Sequence, residues 1–248
     1  MDDFATKPAV DTFFTAQAEK WDARYESRTY RQRRELVRQV ITKELHRLGR
    51  KPEAIEVLDF GSGGGVLLKD LLELGVGVTG VDTSRAMIEK ARAQLPAEDE
   101  RINLEWLQGS SGEGEYEARS YDIVVCTSVL EFVPELERLL ARLCSTVRIG
   151  GMLLVSVPNR RSWLRELEKF IYRHPRPFRS FARLNHLLRP ESYLNYQQHQ
   201  LTLGELTQIV ERFGLRLEEH HFRVAPMLVG RLEHLEVFGM MLTAVFRK

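Results

Sequence analysis

Apolar residues along the chain follow two periods. Short, mostly apolar runs occur at Val57-Leu58, Val78 to Val81, Ile102 to Leu107, Tyr121 to Cys126 and Gly151 to Val157. Runs of this length, closed by glycine, proline or acid, suit strands of a parallel sheet covered on both faces. Between them, apolar residues recur every three or four positions: Leu67, Leu68, Leu71 and Leu72, then 84–94, then 135–148. That spacing predicts helices, with Ser84 and Pro134 as start signals. Gly150-Gly151 is expected to break the chain before the fifth strand. Near the C-terminus, Leu201 to Leu215 predicts a helix capped by Thr202, with Glu205 three residues on and Gly214 as the stop. Strand candidates 217–224 and 237–246 follow. Ahead of the first strand, Leu36, Val37, Val40, Ile41, Leu45 and Leu48 predict one more helix, packed on the sheet.

The alternation of strand and helix predicts an α/β fold, and 248 residues suit one such domain with insertions. Lysine plus arginine number 36 against 35 acids, so no global field argues for nucleic acid. Cys126 and Cys144 lie far apart in apolar stretches and read as core residues of a reducing compartment rather than a disulfide or metal pair. With no apolar leader and no run near the ~18 residues of a spanning helix, the expectation is a cytoplasmic protein. No metal is implied; His220 and His221 are adjacent in a strand candidate and point to opposite faces.

The chemistry concentrates between Val57 and Ser84. An apolar strand enters Asp59-Phe60-Gly61-Ser62-Gly63-Gly64-Gly65, a helix follows, and a second strand ends in Asp82-Thr83. This is half a nucleotide-binding βαβ unit, in which glycines admit a ligand close to the backbone and the second acid can accept from ribose hydroxyls. A dinucleotide loop would carry Gly or Ala at the sixth position from Gly61, where Val66 stands, and Asp59 precedes the first glycine by two. Both departures count against NAD. The set Asp59-x-Gly61-x-Gly63 with Asp82 resembles motif I and the acidic loop of class I S-adenosylmethionine-dependent methyltransferases. The run Tyr121 to Pro134 is similar to the fourth-strand region of small-molecule members, including ubiquinone-type O-methyltransferases, although Glu131-Phe132 stands where those often carry Glu-His.

The resemblance implies a Rossmann-like doubly wound seven-stranded sheet, mostly parallel with an antiparallel C-terminal strand. It implies residues 1–50 as a helical N-terminal extension or lid and 51–248 as the methyltransferase domain, with a helical substrate cover inserted at about 159–200. Its cofactor would be S-adenosylmethionine, held by Asp59, Gly61, Ser62, Gly63, Asp82, Thr83, Met87, Ser110, Ser111, Cys126, Thr127 and Leu130. Gly61, Ser62 and Gly63 would face its amino-acid part, Asp82 the ribose, and Asp59 would order the loop or a water. Trp21, Tyr25, Ser128, His174 and Tyr196 are candidates for the acceptor side, and His199 for a general base.

Transfer from a sulfonium is an in-line displacement in which the cofactor carries the activated carbon, so the protein supplies alignment and desolvation. The expected activity is O-methylation of a small or lipid-like acceptor. A non-catalytic cofactor-binding or scaffold protein, and a nucleic-acid or protein methyltransferase, remain as alternatives. Residues 159–190 hold nine arginines and lysines against Glu166 and Glu168, interleaved with Trp163, Phe170, Ile171 and Tyr172. Such a region suits a solvated cover over the acceptor, peripheral contact with an anionic membrane, or an RNA-binding patch.

Overall fold

The computed structural model describes residues 15, 28–108, 113–174, 196–224 and 236–248. Seven strands form one sheet in the order β3-β2-β1-β4-β5-β7-β6. They are β1 (Glu56–Phe60), β2 (Gly77–Asp82), β3 (Ile102–Trp106), β4 (Tyr121–Thr127), β5 (Val147–Pro158), β6 (Arg216–Val224) and β7 (Gly239–Arg247). β1 pairs in parallel with β2 and β4, and β2 with β3. β7 is antiparallel to both β5 and β6. The expected Rossmann-like, mostly parallel sheet with a reversed C-terminal strand is therefore the observed one. Six α-helices accompany it among the described residues: α1 (Arg28–Leu48), α2 (Val66–Glu73), α3 (Arg85–Gln94), α4 (Leu136–Thr146), α5 (Trp163–Arg173) and α6 (Leu203–Glu211).

The chain divides into two compact units, residues 1–125 with 146–148, and 126–145 with 149–248. In the first, α2 packs on β1 and β2 and α3 on β2 and β3. Val57, Leu58, Val78, Val81, Leu68 and Leu71 are fully or almost fully buried. α1 buries Val37, Val40 and Ile41 and lies against α2, where Arg34 forks onto the buried Asp70 carboxylate. In the second unit α6 packs on β6 and β7. The Thr202–Glu205 capping box forms as predicted: Thr202 Oγ1 accepts from Glu205 N at 3.2 Å while Glu205 Oε2 accepts from Thr202 N at 2.8 Å. Gly214 then takes the left-handed conformation, φ 85°.

The expected break at Gly150-Gly151 does not occur. α4 stops at Thr146, and β5 begins at Val147 and runs through both glycines. Gly150, at φ 78°, absorbs the irregularity while its N–H still reaches Lys248 O at 3.0 Å. A glycine pair can interrupt a ladder without ending it when one residue adopts a conformation closed to other side chains. The helical reading of 147–148 failed for the same reason: Arg148 is a strand residue whose guanidinium meets Asp122 at 2.6 Å.

Asp122 ties the first unit together. Its buried carboxylate accepts from Arg50 at 2.5 Å, Arg148 at 2.6 Å and the backbone N–H of Glu56 at 3.0 Å, joining the starts of β1, β4 and β5. Removing it strands a backbone donor and two half-exposed guanidinium groups. Asp122→Ala is expected to lower stability by about 2–4 kcal/mol in urea unfolding, with Asp122→Asn recovering part of the loss.

Candidate functional site

The glycine loop leaves β1 and turns into α2. Gly61, Gly63 and Gly65 have φ of 78°, 53° and 81°, conformations that side-chain-bearing residues rarely hold. At Gly65 space is also closed: a Cβ would stand 2.9 Å from the Ala91 methyl of α3. Close packing continues at Gly80 on β2, where a Cβ would meet Leu68 at 2.5 Å and Ser62 Oγ at 3.1 Å. The loop is thus pressed onto the end of β2.

Hydrogen bonds fix it there. Gly61 N and Ser62 N both donate to Val81 O, at 2.8 and 3.0 Å. Asp82 bridges the two sides of the turn: Oδ2 accepts from Gly63 N at 2.9 Å and Oδ1 from Ser84 N at 2.8 Å. Ser84, in turn, caps α3 through Met87 N and pairs with the Thr15 hydroxyl at 3.0 Å. The end of β3 joins the same cluster, with Leu107 N on Asp82 O at 2.9 Å and the Trp106 indole on Thr83 O at 3.0 Å. The N–H groups of Gly61, Ser62 and Gly63 are consequently committed within the protein. What these residues can offer a ligand is their carbonyl oxygens, acceptors suited to a cationic amine. Ser62 Oγ is buried without a hydrogen-bond partner, and each Asp82 oxygen retains acceptor capacity for a hydroxyl. A donor-rich ligand bearing an amine and a ribose fits this set.

A buried carboxyl, Asp59, stands near a half-buried one, Asp82. Burial, with the nearby Asp82 charge, pushes the Asp59 carboxyl up to about 7, against the opposing pull of Arg33 on α1. Burial also raises Asp82, offset by the donors of Ser84, Gly63 and Thr83. Met87 is buried in the core of this unit. Trp21, Tyr25, Ser110 and Ser111 lie outside the described residues.

The remaining candidates belong to the second unit. Cys126 and Leu130 are fully buried, and Thr127 and Ser128 partly so. Ser128, at φ 57°, holds a left-handed conformation as the chain leaves β4, and its N–H donates to Ser156 Oγ at 3.1 Å. Strain of this kind in a strand-end loop is a common mark of a working site. The following segment is strapped by residues 197–199: Gln198 N donates to Glu131 O at 2.7 Å and Gln198 Nε2 to Phe132 O at 3.1 Å. His199 Nε2 lies 2.8 Å from Val133 O, which makes that nitrogen the donor and leaves Nδ1 as the ring's acceptor. Tyr196 is half-buried and begins this strap. His174 is exposed at the end of α5 and stacks on Phe170, ring centroids 4.8 Å apart.

α5 buries Ile171 but leaves a second apolar stripe outward. Trp163, Leu167 and Phe170, spaced four and three apart, are 47%, 41% and 53% exposed. Arg165 faces inward instead, its Nε on Met240 O and its Nη1 on Glu168. Sequence reading gave the composition of this helix but not which face is covered. It also missed the strap's hold on residues 131–133, because backbone acceptors leave no residue signature.

The chain is similar to known proteins in sequence and in fold. A methyltransferase-domain profile matches residues 30–220. The chain belongs to this methyltransferase-domain family. It is 32% identical over 161 residues to a ubiquinone biosynthesis O-methyltransferase of Coxiella burnetii (strain RSA 331), a match covering 65% of the chain and 63% of that relative. In fold this family member is similar to magnesium protoporphyrin IX methyltransferase from Synechocystis PCC 6803 with bound SAH. The TM-score is 0.67 at 19% identity, over 96% of this chain and 97% of that one. It is also similar to Burkholderia thailandensis 1,6-didemethyltoxoflavin-N1-methyltransferase, TM-score 0.60 at 17% identity, over 96% and 86%.

The raised Asp59 carboxyl has a signature in stability. Between about pH 4 and 7 the native state of this methyltransferase-family chain keeps a proton that the unfolded chain has released, so the contribution of Asp59 falls as pH rises through that window. Asp59→Asn is expected to gain about 2–3 kcal/mol on the native protein between pH 5 and pH 8, read from urea unfolding at both values. A gap that does not change with pH would remove the buried proton.

Proposed function

We propose that the chain is an S-adenosylmethionine-dependent methyltransferase acting on oxygen of a small or lipid-like acceptor. The observation that carries this reading is the Asp82 bracket: an acid at the end of β2 that pins the glycine loop while keeping lone pairs for ribose hydroxyls. The first unit then holds the cofactor. Carbonyls of Gly61 and Gly63 accept from its amine, Ser62 Oγ gains a partner, and Thr83 and Met87 belong to the surrounding wall. The bound cofactor supplies the activated methyl group. The chain's own part is orientation, exclusion of water and, for a hydroxyl acceptor, removal of a proton.

The acceptor side is assigned to Ser128, Tyr196, His174 and His199, with Cys126, Thr127 and Leu130 bordering both ligands. With Nε2 tied to Val133 O, His199 would act as base through Nδ1. The ubiquinone O-methyltransferase relative and the toxoflavin-type neighbour, named for small molecules, support a small-molecule acceptor. Residues 1–50 are assigned as a lid over the cofactor, which the Thr15–Ser84 hydrogen bond favours, and 51–248 as the methyltransferase domain with a cover at about 159–200.

The decisive measurement is calorimetric titration with S-adenosylmethionine. Native protein is expected to bind it and not NADH, and Asp82→Ala to lose about 100-fold or more in affinity while its circular dichroism stays native, two charge-assisted contacts being worth at least that much. Retained affinity would refute the ribose contact.

A peripheral, membrane-associated location is favoured by the outward stripe Trp163, Leu167 and Phe170 beside Lys169 and Arg173, an apolar face with a cationic rim. Among the described residues no helix is long and apolar enough to cross a membrane. Native protein is expected to co-float with phosphatidylglycerol vesicles and not with phosphatidylcholine ones, and the triple change Trp163→Ser, Leu167→Ser, Phe170→Ser to abolish it. Native protein that ignores both vesicle types would remove the membrane reading.

A further inference from the structure

The second unit contains a cleft of about 440 Å³, within the range of small-ligand sites, lined by Arg160, Lys169, Tyr172, Arg173 and the glutamines of the 197–200 strap. Among the described residues, every charged one in that lining is a cation, and the neutral ones bring amide or hydroxyl donors. Arg160 is engaged by Glu205, outside the lining. Lys169 Nζ donates to Glu166 at 2.5 Å and to Gln200 Oε1 at 2.8 Å, using two of its three protons. The Arg173 guanidinium makes no hydrogen bond or ion pair among the described residues. Gln197 spends its carbonyl on Gln200 Nε2 at 2.9 Å, while its own Nε2 is buried with no acceptor. A buried amide donor without a partner costs roughly 1–3 kcal/mol. Gln197 is also one of the residues that line the cationic cleft.

The position is as informative as the charge. The strap that forms one wall is bonded to Glu131, Phe132 and Val133, the segment reached as the chain leaves the carboxyl end of β4. In open α/β sheets ligands sit beyond those strand ends.

We infer that this cleft binds an anionic group, a carboxylate or phosphate, carried by the methyl acceptor. Arg173 and Lys169 supply the charge, and Gln197 Nε2 donates to an anion oxygen. The inference rests on the reading of the chain as a small-molecule methyltransferase and narrows its substrate class to acceptors bearing such a group. Glu166, 60% exposed at its side chain, forms a surface ion pair of the weak kind and yields Lys169 readily to a ligand oxygen.

The test uses phenyl phosphate, 3,4-dihydroxybenzoate and uncharged catechol, each titrated into the full chain with S-adenosylhomocysteine present, and S-adenosylmethionine titrated in parallel. Both anions are expected to bind about tenfold or more tightly than catechol, as charge-assisted hydrogen bonds require. That preference is expected to vanish in Arg173→Met/Lys169→Met and to shrink in Gln197→Leu, with S-adenosylmethionine affinity within twofold of native in each. Equal binding of charged and uncharged probes, or a preference that survives in the variants, overturns the inference. Failure of the native protein to bind S-adenosylmethionine would overturn the underlying reading instead. Displacement of phenyl phosphate by phosphatidylglycerol vesicles assigns the anion to a lipid headgroup, and displacement by inorganic phosphate alone assigns it to a soluble acceptor; either upholds the site.

Discussion

A single carboxylate sets the geometry of the first unit's ligand end. Asp82 receives the N–H of Gly63 from the loop and the N–H of Ser84 from the start of α3, and its own carbonyl receives Leu107 at the end of β3. Three segments that diverge in sequence are thereby held at one point. Each bond is charge-assisted or backbone-derived, and partial burial strengthens the charged ones. The glycines matter because of this convergence. With Val81 O and the Asp82 carboxylate drawing in three successive N–H groups, the loop lies so near β2 that Gly80 has no room for a methyl group.

Strand and helix identities were largely legible from sequence, because continuous apolar runs and three-to-four spacing report burial directly. The α6 capping box was legible for the same reason: Thr202 and Glu205 write their pairing in residue type. What misled was the Gly150-Gly151 pair. Its composition says interruption, whereas Gly150 N donates to Lys248 O and Lys248 N to Gly151 O, just past the end of the antiparallel partner β7, and β5 runs on through the pair. Asp59 and Asp82 were visible as a motif, but their mutual proximity and the raised carboxyl were not, since both arise from packing between strands. His199 was visible as a titratable side chain; its bond to a backbone carbonyl was not.

α5 illustrates a different limit. Amphipathic pattern gives two faces and says nothing about which one is covered. Here the covered side takes Arg165, whose head finds a backbone carbonyl of β7 and the Glu168 carboxylate, so a charge is accommodated inward by pairing. The apolar stripe is then left outward. A helix with this arrangement divides its hydrophobic surface, giving Ile171 to the core and leaving Trp163, Leu167 and Phe170 for whatever meets the protein.

The Asp59–Asp82 pair also bears on charge balance. Asp59 is buried and Asp82 half-buried beside it, so two ionised carboxyls here would repel one another. Burial, with that repulsion, raises the Asp59 carboxyl to about 7, so the native protein can hold a proton there. The pocket thus adjusts its charge by a proton rather than by moving a side chain. A cation bound beside the pair would favour the ionised form of Asp59, so its arrival would be linked to release of that proton.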